Sequence, residues 1–174
     1  GLIGDLVCAA VIVLIVYGAG LKTICQFALV GLVLNTVAML NSSVHVLRLH
    51  PHQDLKAELR RFVTRESLQA AWVVSAVGSL QQATLRMADQ QRASIFTRKF
   101  EILNLSGTMS VAGIHLHITL ANSEGSTLGG HLLDGCLIYT TCELVIGSTK
   151  EIMFHREHDV QTGYKELKIV KKGE

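Results

Sequence analysis

Between Gly113 and Leu133 the chain reads GIHLHITLANSEGSTLGGHLL, and this stretch admits few local structures. Ile114, Leu116, Ile118 and Leu120 alternate with His115, His117 and Thr119. A period of two that includes β-branched residues is a strand, with aliphatic side chains on one face and imidazoles on the other. Asn122-Ser123-Glu124-Gly125-Ser126 is a turn cluster. Thr127–Leu133 then returns as the antiparallel partner, weakened by Gly129-Gly130. The residues after 44 read as scaffold for this hairpin.

A hairpin symmetric about Glu124 sets His117 opposite His131 and His115 diagonally from it. Directly paired Cβ atoms lie about 4.5–5.5 Å apart, which suits one ion with Zn–N distances of roughly 2.0–2.1 Å. His115, His117 and His131 are therefore the expected metal ligands, and zinc is the expected ion. Three neutral nitrogens leave a fourth position open, as in catalytic rather than structural zinc sites. Gly129-Gly130 would let backbone or ligand approach beside the ion. A bare HxH is only the spacing of two same-face strand neighbours, and the plain alternative is a set of polar residues on a solvated face. The third histidine in register is what favours the metal.

Formal charge is +2 over 174 residues, which speaks against a general nucleic-acid binder. The four cysteines, Cys8, Cys25, Cys136 and Cys142, form no CxxC pair and indicate neither a zinc knuckle nor a disulfide framework. Cys136 and Cys142 are an even number apart and should share a strand face as small buried hydrophobes of a reducing compartment.

Residues 1–43 differ from the rest. Leu6–Leu21 and Ile24–Leu40 are almost wholly apolar, and each approaches the roughly 17–25 residues that span a bilayer. The segment reads as a transmembrane helix or helical hairpin, or as an extension not native to the domain. The chain is membrane-anchored if residues 1–40 are native to it, and cytoplasmic or nuclear otherwise.

From residue 44 to 174 the pattern is one domain. Val44–Leu49 is a short strand, ended by His50-Pro51. Asp54 can cap a helix, whose apolar stripe is Leu55, Leu59, Phe62 and Val63. Strands are expected at Gln69–Val77, Leu80–Ala88, Phe96–Leu105, Cys136–Ile146, Glu151–Arg156 and Tyr164–Val170, besides the hairpin. Gly78-Ser79 is expected to bend the chain. Ser106-Gly107-Thr108 and Gly147-Ser148-Thr149-Lys150 are expected turns, and Asp89–Ser94 a polar loop. The fold class is α+β: a mainly antiparallel wrapped sheet with one clear helix, preceded by the apolar segment.

Five pieces of sequence carry a family resemblance: HVLRLHPHQDL at 45–55, SAVGSLQQATLR at 75–86, KFEILNLSGT at 99–108, GIHLHITLANSEGSTLGGHLLDG at 113–135 and TGYKEL at 162–167. In this order they resemble the plant-and-prokaryote conserved (PPC) domain over about residues 44–170. The resemblance implies a compact subunit that assembles as a homotrimer. KFEIL is similar to the family's RFEIL motif, which implies an interface role for Phe100, Glu101, Ile102 and Leu103. Plant members bind DNA through a separate AT-hook, and no Arg-Gly-Arg-Pro core occurs here. The fold is also similar to that of acetolactate decarboxylase, a zinc enzyme with an HxH pair and a later histidine. His115, His117 and His131 match that pattern in type and order, without carrying over the activity.

The leading expectation is an oligomeric interaction module with a three-histidine metal site. The alternative is a zinc-dependent hydrolase or lyase acting on a small-molecule ligand, with Glu101, Glu124 or Glu143 as acid/base. A DNA-binding regulatory role is third, and the charge disfavours it. Whether the chain is an enzyme stays open at this point.

Overall fold

The structure is a computed structural model, and it describes residues 42–172. The apolar segment expected to span or anchor to a membrane lies outside the described residues, apart from Ser42 and Ser43. Among the described residues, no helix is long and apolar enough to cross a membrane.

Those residues form strands β1 (Ser42–Leu49), β2 (Ala71–Arg86), β3 (Ala93–Phe96), β4 (Phe100–Ser110), β5 (Gly113–Ala121), β6 (Thr127–Leu132), β7 (Leu137–Thr149), β8 (Ile152–His158) and β9 (Lys165–Lys171). Helix α1 (Leu55–Arg65) follows β1. All strand pairs are antiparallel, in the order β1-β7-β2-β4-β5-β6, with β3 added on β2. β8 and β9 make a separate two-stranded ribbon. This is the expected α+β class with a mainly antiparallel sheet.

The sheet closes on itself. β6 pairs with β5 along one edge and with the end of β2 along the other, through Leu85 with Leu132 and Arg86 with His131. β2, β4, β5 and β6 therefore form a ring of strands. Leu116, Ile118 and Leu120 of β5 are buried inside it with Leu80, Leu85, Leu105 and Leu132. Alternation puts the opposite face of β5 outward, and that face carries the histidines.

α1 covers the core from the other side. Asp54 accepts a hydrogen bond from the Ala57 amide at 3.0 Å and so caps the first turn. Leu55, Leu59, Phe62 and Val63 are all buried, each contributing about 1.5–3 kcal/mol relative to exposure. Cys136 and Cys142 are buried among them, and burial pushes their thiols up to about 11 and about 12. They are inert core residues, as their spacing suggests.

Three expected breaks are absent. β2 runs unbroken through Gly78-Ser79, β4 through Ser106-Gly107-Thr108, and β7 through Gly147-Ser148-Thr149. Each glycine lies against a neighbouring strand rather than in a turn. A Cβ would meet the Thr141 carbonyl oxygen at Gly78, the His115 carbonyl oxygen at Gly107 and the Trp72 ring at Gly147. Glycine inside a strand marks close approach as often as a turn. One smaller correction follows. The Asp89–Ser94 loop is shortened by β3, which begins at Ala93. In β4, a bulge between Ile102 and Asn104 leaves Asn104 exposed and brings Leu105 into the core.

Candidate metal centre

The hairpin has the register its symmetry predicts. His117 pairs with His131, and Ala121 with Thr127. The Asn122 side chain shapes the turn by accepting from the Glu124 and Ser126 amides at 3.0 and 2.9 Å. The glycines before His131 are explained by backbone. A Cβ on Gly129 would lie 2.7 Å from the Ile118 carbonyl oxygen, and one on Gly130 2.8 Å from that of Arg86. β6 is thus squeezed between β5 and β2, which is what brings His131 between its neighbours.

Three nitrogens converge. His131 Nδ1 lies 3.2 Å from His115 Nε2 and 3.0 Å from His117 Nε2. The three candidate ligand atoms all fall within 4.8 Å of one another. Two Zn–N bonds of tetrahedral geometry separate their nitrogens by about 3.4 Å, so the rings need only small movements to hold one ion. Among the described residues this is the group of histidine, cysteine or carboxylate side chains that converges in this way. His45 and His52 lie elsewhere, bonded to Ser148 and Gln81.

The surroundings keep His115 and His131 neutral. Burial lowers the His131 pKa to about 4, helped by His117 and Arg86. Burial also lowers that of His115, helped by Arg156 and His117. A neutral imidazole is the ligating form.

Two arginines not foreseen in the sequence flank the triad. Arg86 is the register partner of His131. Arg156 reaches across from β8, its guanidinium 3.3 Å from His115 Nδ1 and 2.6 Å from Thr108 Oγ1. A cleft of about 680 Å³ opens beside His115 and His131. Its carboxylates are Asp89 and Glu166, whereas Glu101, Glu124 and Glu143 are exposed residues that do not line it. The one available signal was Arg86 itself, a cation ending an otherwise uncharged strand.

The KFEIL segment divides between core and surface. Phe100 and Ile102 are buried, whereas Glu101 and Leu103 are exposed.

Comparison with known proteins places this geometry in context. The family described as the Plants and Prokaryotes Conserved (PCC) domain matches residues 36–150. A bifunctional protein GlmU of Synechococcus sp. (strain JA-3-3Ab) is 53% identical over 131 residues, 75% of this chain. The chain spans only 21% of that relative's length. A hypothetical protein from Salmonella cholerae-suis shares the fold at 38% identity and a TM-score of 0.74, over 75% of this chain and 95% of that one. A metal-containing protein from Archaeoglobus fulgidus does so at 28% identity and a TM-score of 0.64, over 72% and 93% of the two chains.

Proposed function

The chain belongs to the Plants and Prokaryotes Conserved (PCC) domain family, and we propose that its domain is a self-associating binding module that carries one zinc ion on His115, His117 and His131. The convergence of three imidazole nitrogens on one point carries the metal assignment. The donor set is all nitrogen, which suits zinc among the biological divalent ions. The metal-containing relative from Archaeoglobus fulgidus is consistent with it.

The outer face of the sheet supports self-association as a homotrimer. Val46 of β1 pairs with Val145 of β7, which pairs with Ser75 of β2. Val77 and Leu103 flank the Gly78–Ile102 pair on adjacent strands. Val44, Val46, Val74, Val77 and Leu103 are all exposed. An apolar band carried by exposed residues of β1, β2 and β4 is more than scattered surface residues require, and further copies of the chain are its natural cover.

A second reading is a zinc-dependent hydrolase or lyase, favoured by the cleft that opens beside the ligand set. A zinc ion there would supply Lewis-acid polarisation of a carbonyl or an acidified water. Nucleic-acid binding draws no support from a formal charge of +2.

The test is metal content of the 174-residue chain, with His115→Ala and His131→Ala alongside. The reading expects near one zinc per chain in the parent and none in either variant. A folded, metal-free parent that takes up no added zinc would overturn it.

A further inference from the structure

We propose that the cleft beside the three histidines binds a small molecule through a carboxylate or phosphate group, with Arg86 and Arg156 as the residues that grip it. The idea deepens the metal reading, on which it rests for the ligand's orientation but not for the arginine requirement.

Size is the first argument. About 680 Å³ falls within the roughly 300–1,000 Å³ of small-molecule sites and far exceeds what a single ion needs. The walls are mixed, with Ile114, Leu132 and Leu133 supplying apolar surface beside the charged groups. Such a site suits a molecule with an apolar body and one charged end.

Charge is the second. Lys56, Arg86, Arg156 and Lys165 line the cleft against Asp89 and Glu166. Among the described residues, none of these four cations is in an ion pair, since the ion pairs formed use Arg60, Arg61, Arg65 and Lys168. Arg156 is held by neutral groups, Thr108 and His115. Lys56 donates to the Leu132 carbonyl oxygen at 3.0 Å. Glu166 accepts from the Thr162 hydroxyl at 3.0 Å. Partly buried cations are normally paired, so Lys56, Arg86 and Arg156, half-buried and without an ion pair at one cleft, mark a place for an anion.

Placement is the third. Arg86 adjoins His131 through the β2–β6 pair, and Arg156 adjoins His115. The two residues therefore stand on opposite sides of the ligand set, Arg86 on β2 beyond β6 and Arg156 bonded to Thr108 on β4 beyond β5. Arg156 also has donors to offer. A neutral imidazole with Nε2 committed to an ion carries its proton on Nδ1, and a guanidinium N–H has nothing to donate to there. The donor now facing His115 Nδ1 would then be free for an oxyanion, while Thr108 holds the other nitrogen in place. The planar fork of arginine matches carboxylate and phosphate oxygens.

The experiment titrates benzoate and phenyl phosphate into the 174-residue chain, with and without bound zinc, and reads binding by ligand-observed NMR. Benzyl alcohol is the neutral counterpart. Arg86→Gln and Arg156→Gln are compared with the parent, with folding checked by circular dichroism and zinc content measured separately. The proposal expects at least one of the two anions to bind, benzyl alcohol to bind far more weakly, and each substitution to weaken the anion by about tenfold or more. The preferred anion tells a carboxylate ligand from a phosphate one. If an arginine variant does not fold, Lys165→Gln, at an exposed position of β9, is expected to weaken binding by a smaller factor. Anion binding that is unchanged in folded variants, matched by benzyl alcohol, or undetectable in the folded parent would overturn the proposal. A chain that holds no zinc sinks the metal reading alone, because the metal-free titrations still decide the arginine requirement.

Discussion

Arg86 and His131 are direct partners on strands β2 and β6. This pairing closes the ring of strands and puts a cation beside the histidine whose Nδ1 lies nearest to both other imidazoles. Closure of the sheet and assembly of the site are therefore one event, and several predictions depend on it.

Zinc should stabilise the chain through His131. A ligand that binds only the folded state at a hundredfold excess over its Kd contributes about 2.7 kcal/mol. Thermal unfolding with and without added zinc should show this gain in the parent and lose it in His131→Ala. An equal gain in the variant would place the ion elsewhere.

Without metal, acid should weaken the fold through the histidines. The His131 pKa is about 4 in the folded chain and 6.5 ordinarily, so between these values the unfolded chain binds more protons. The stability linked to this group is fully present above pH 6.5 and is lost as pH falls through about 4. Urea unfolding across this window should show the decline in the metal-free parent, and His131→Ala should flatten part of it.

Gly107→Ala should damage both fold and site. The added Cβ would lie 2.1 Å from the His115 carbonyl oxygen, at a backbone φ of +135° that side chains rarely adopt. β4 and β5 must separate, at a cost of about 3 kcal/mol or more. Denaturant titration should show the loss, and zinc affinity should fall because β5 carries two ligands. A variant as stable as the parent would contradict the close approach.

Neighbouring residues of the KFEIL segment should fail differently. Ile102 is 5% exposed, and Ile102→Ala should cost about 2–5 kcal/mol of stability through the cavity it leaves. Leu103 is 55% exposed. Leu103→Glu should leave the fold and zinc binding intact while shifting the mass measured by sedimentation from trimer to monomer. A trimer that survives this change would place the interface on another face.

Local pattern made much of the molecule legible. The alternation Ile114–Leu120 and the turn after it determined the histidine hairpin down to the His117–His131 pair, because a strand's side chains alternate with a strict period and a symmetric turn sets the register. The stripe Leu55, Leu59, Phe62 and Val63 determined the helix, and Cys136 and Cys142 are both buried as expected, although Cys136 lies just before β7 rather than on its face. The glycines were misleading, since a residue without a side chain serves a turn and a close strand approach equally well. Only the neighbouring strand distinguishes the two, and that neighbour is remote in sequence. The place of the arginines beside the site was hidden for the same reason. Arg86 reaches His131 only because β6 pairs back onto β2, and Arg156 reaches His115 only because the β8–β9 ribbon lies across the cleft. Local spacing determined the three histidines, and only the closure of the sheet decided which charges surround them.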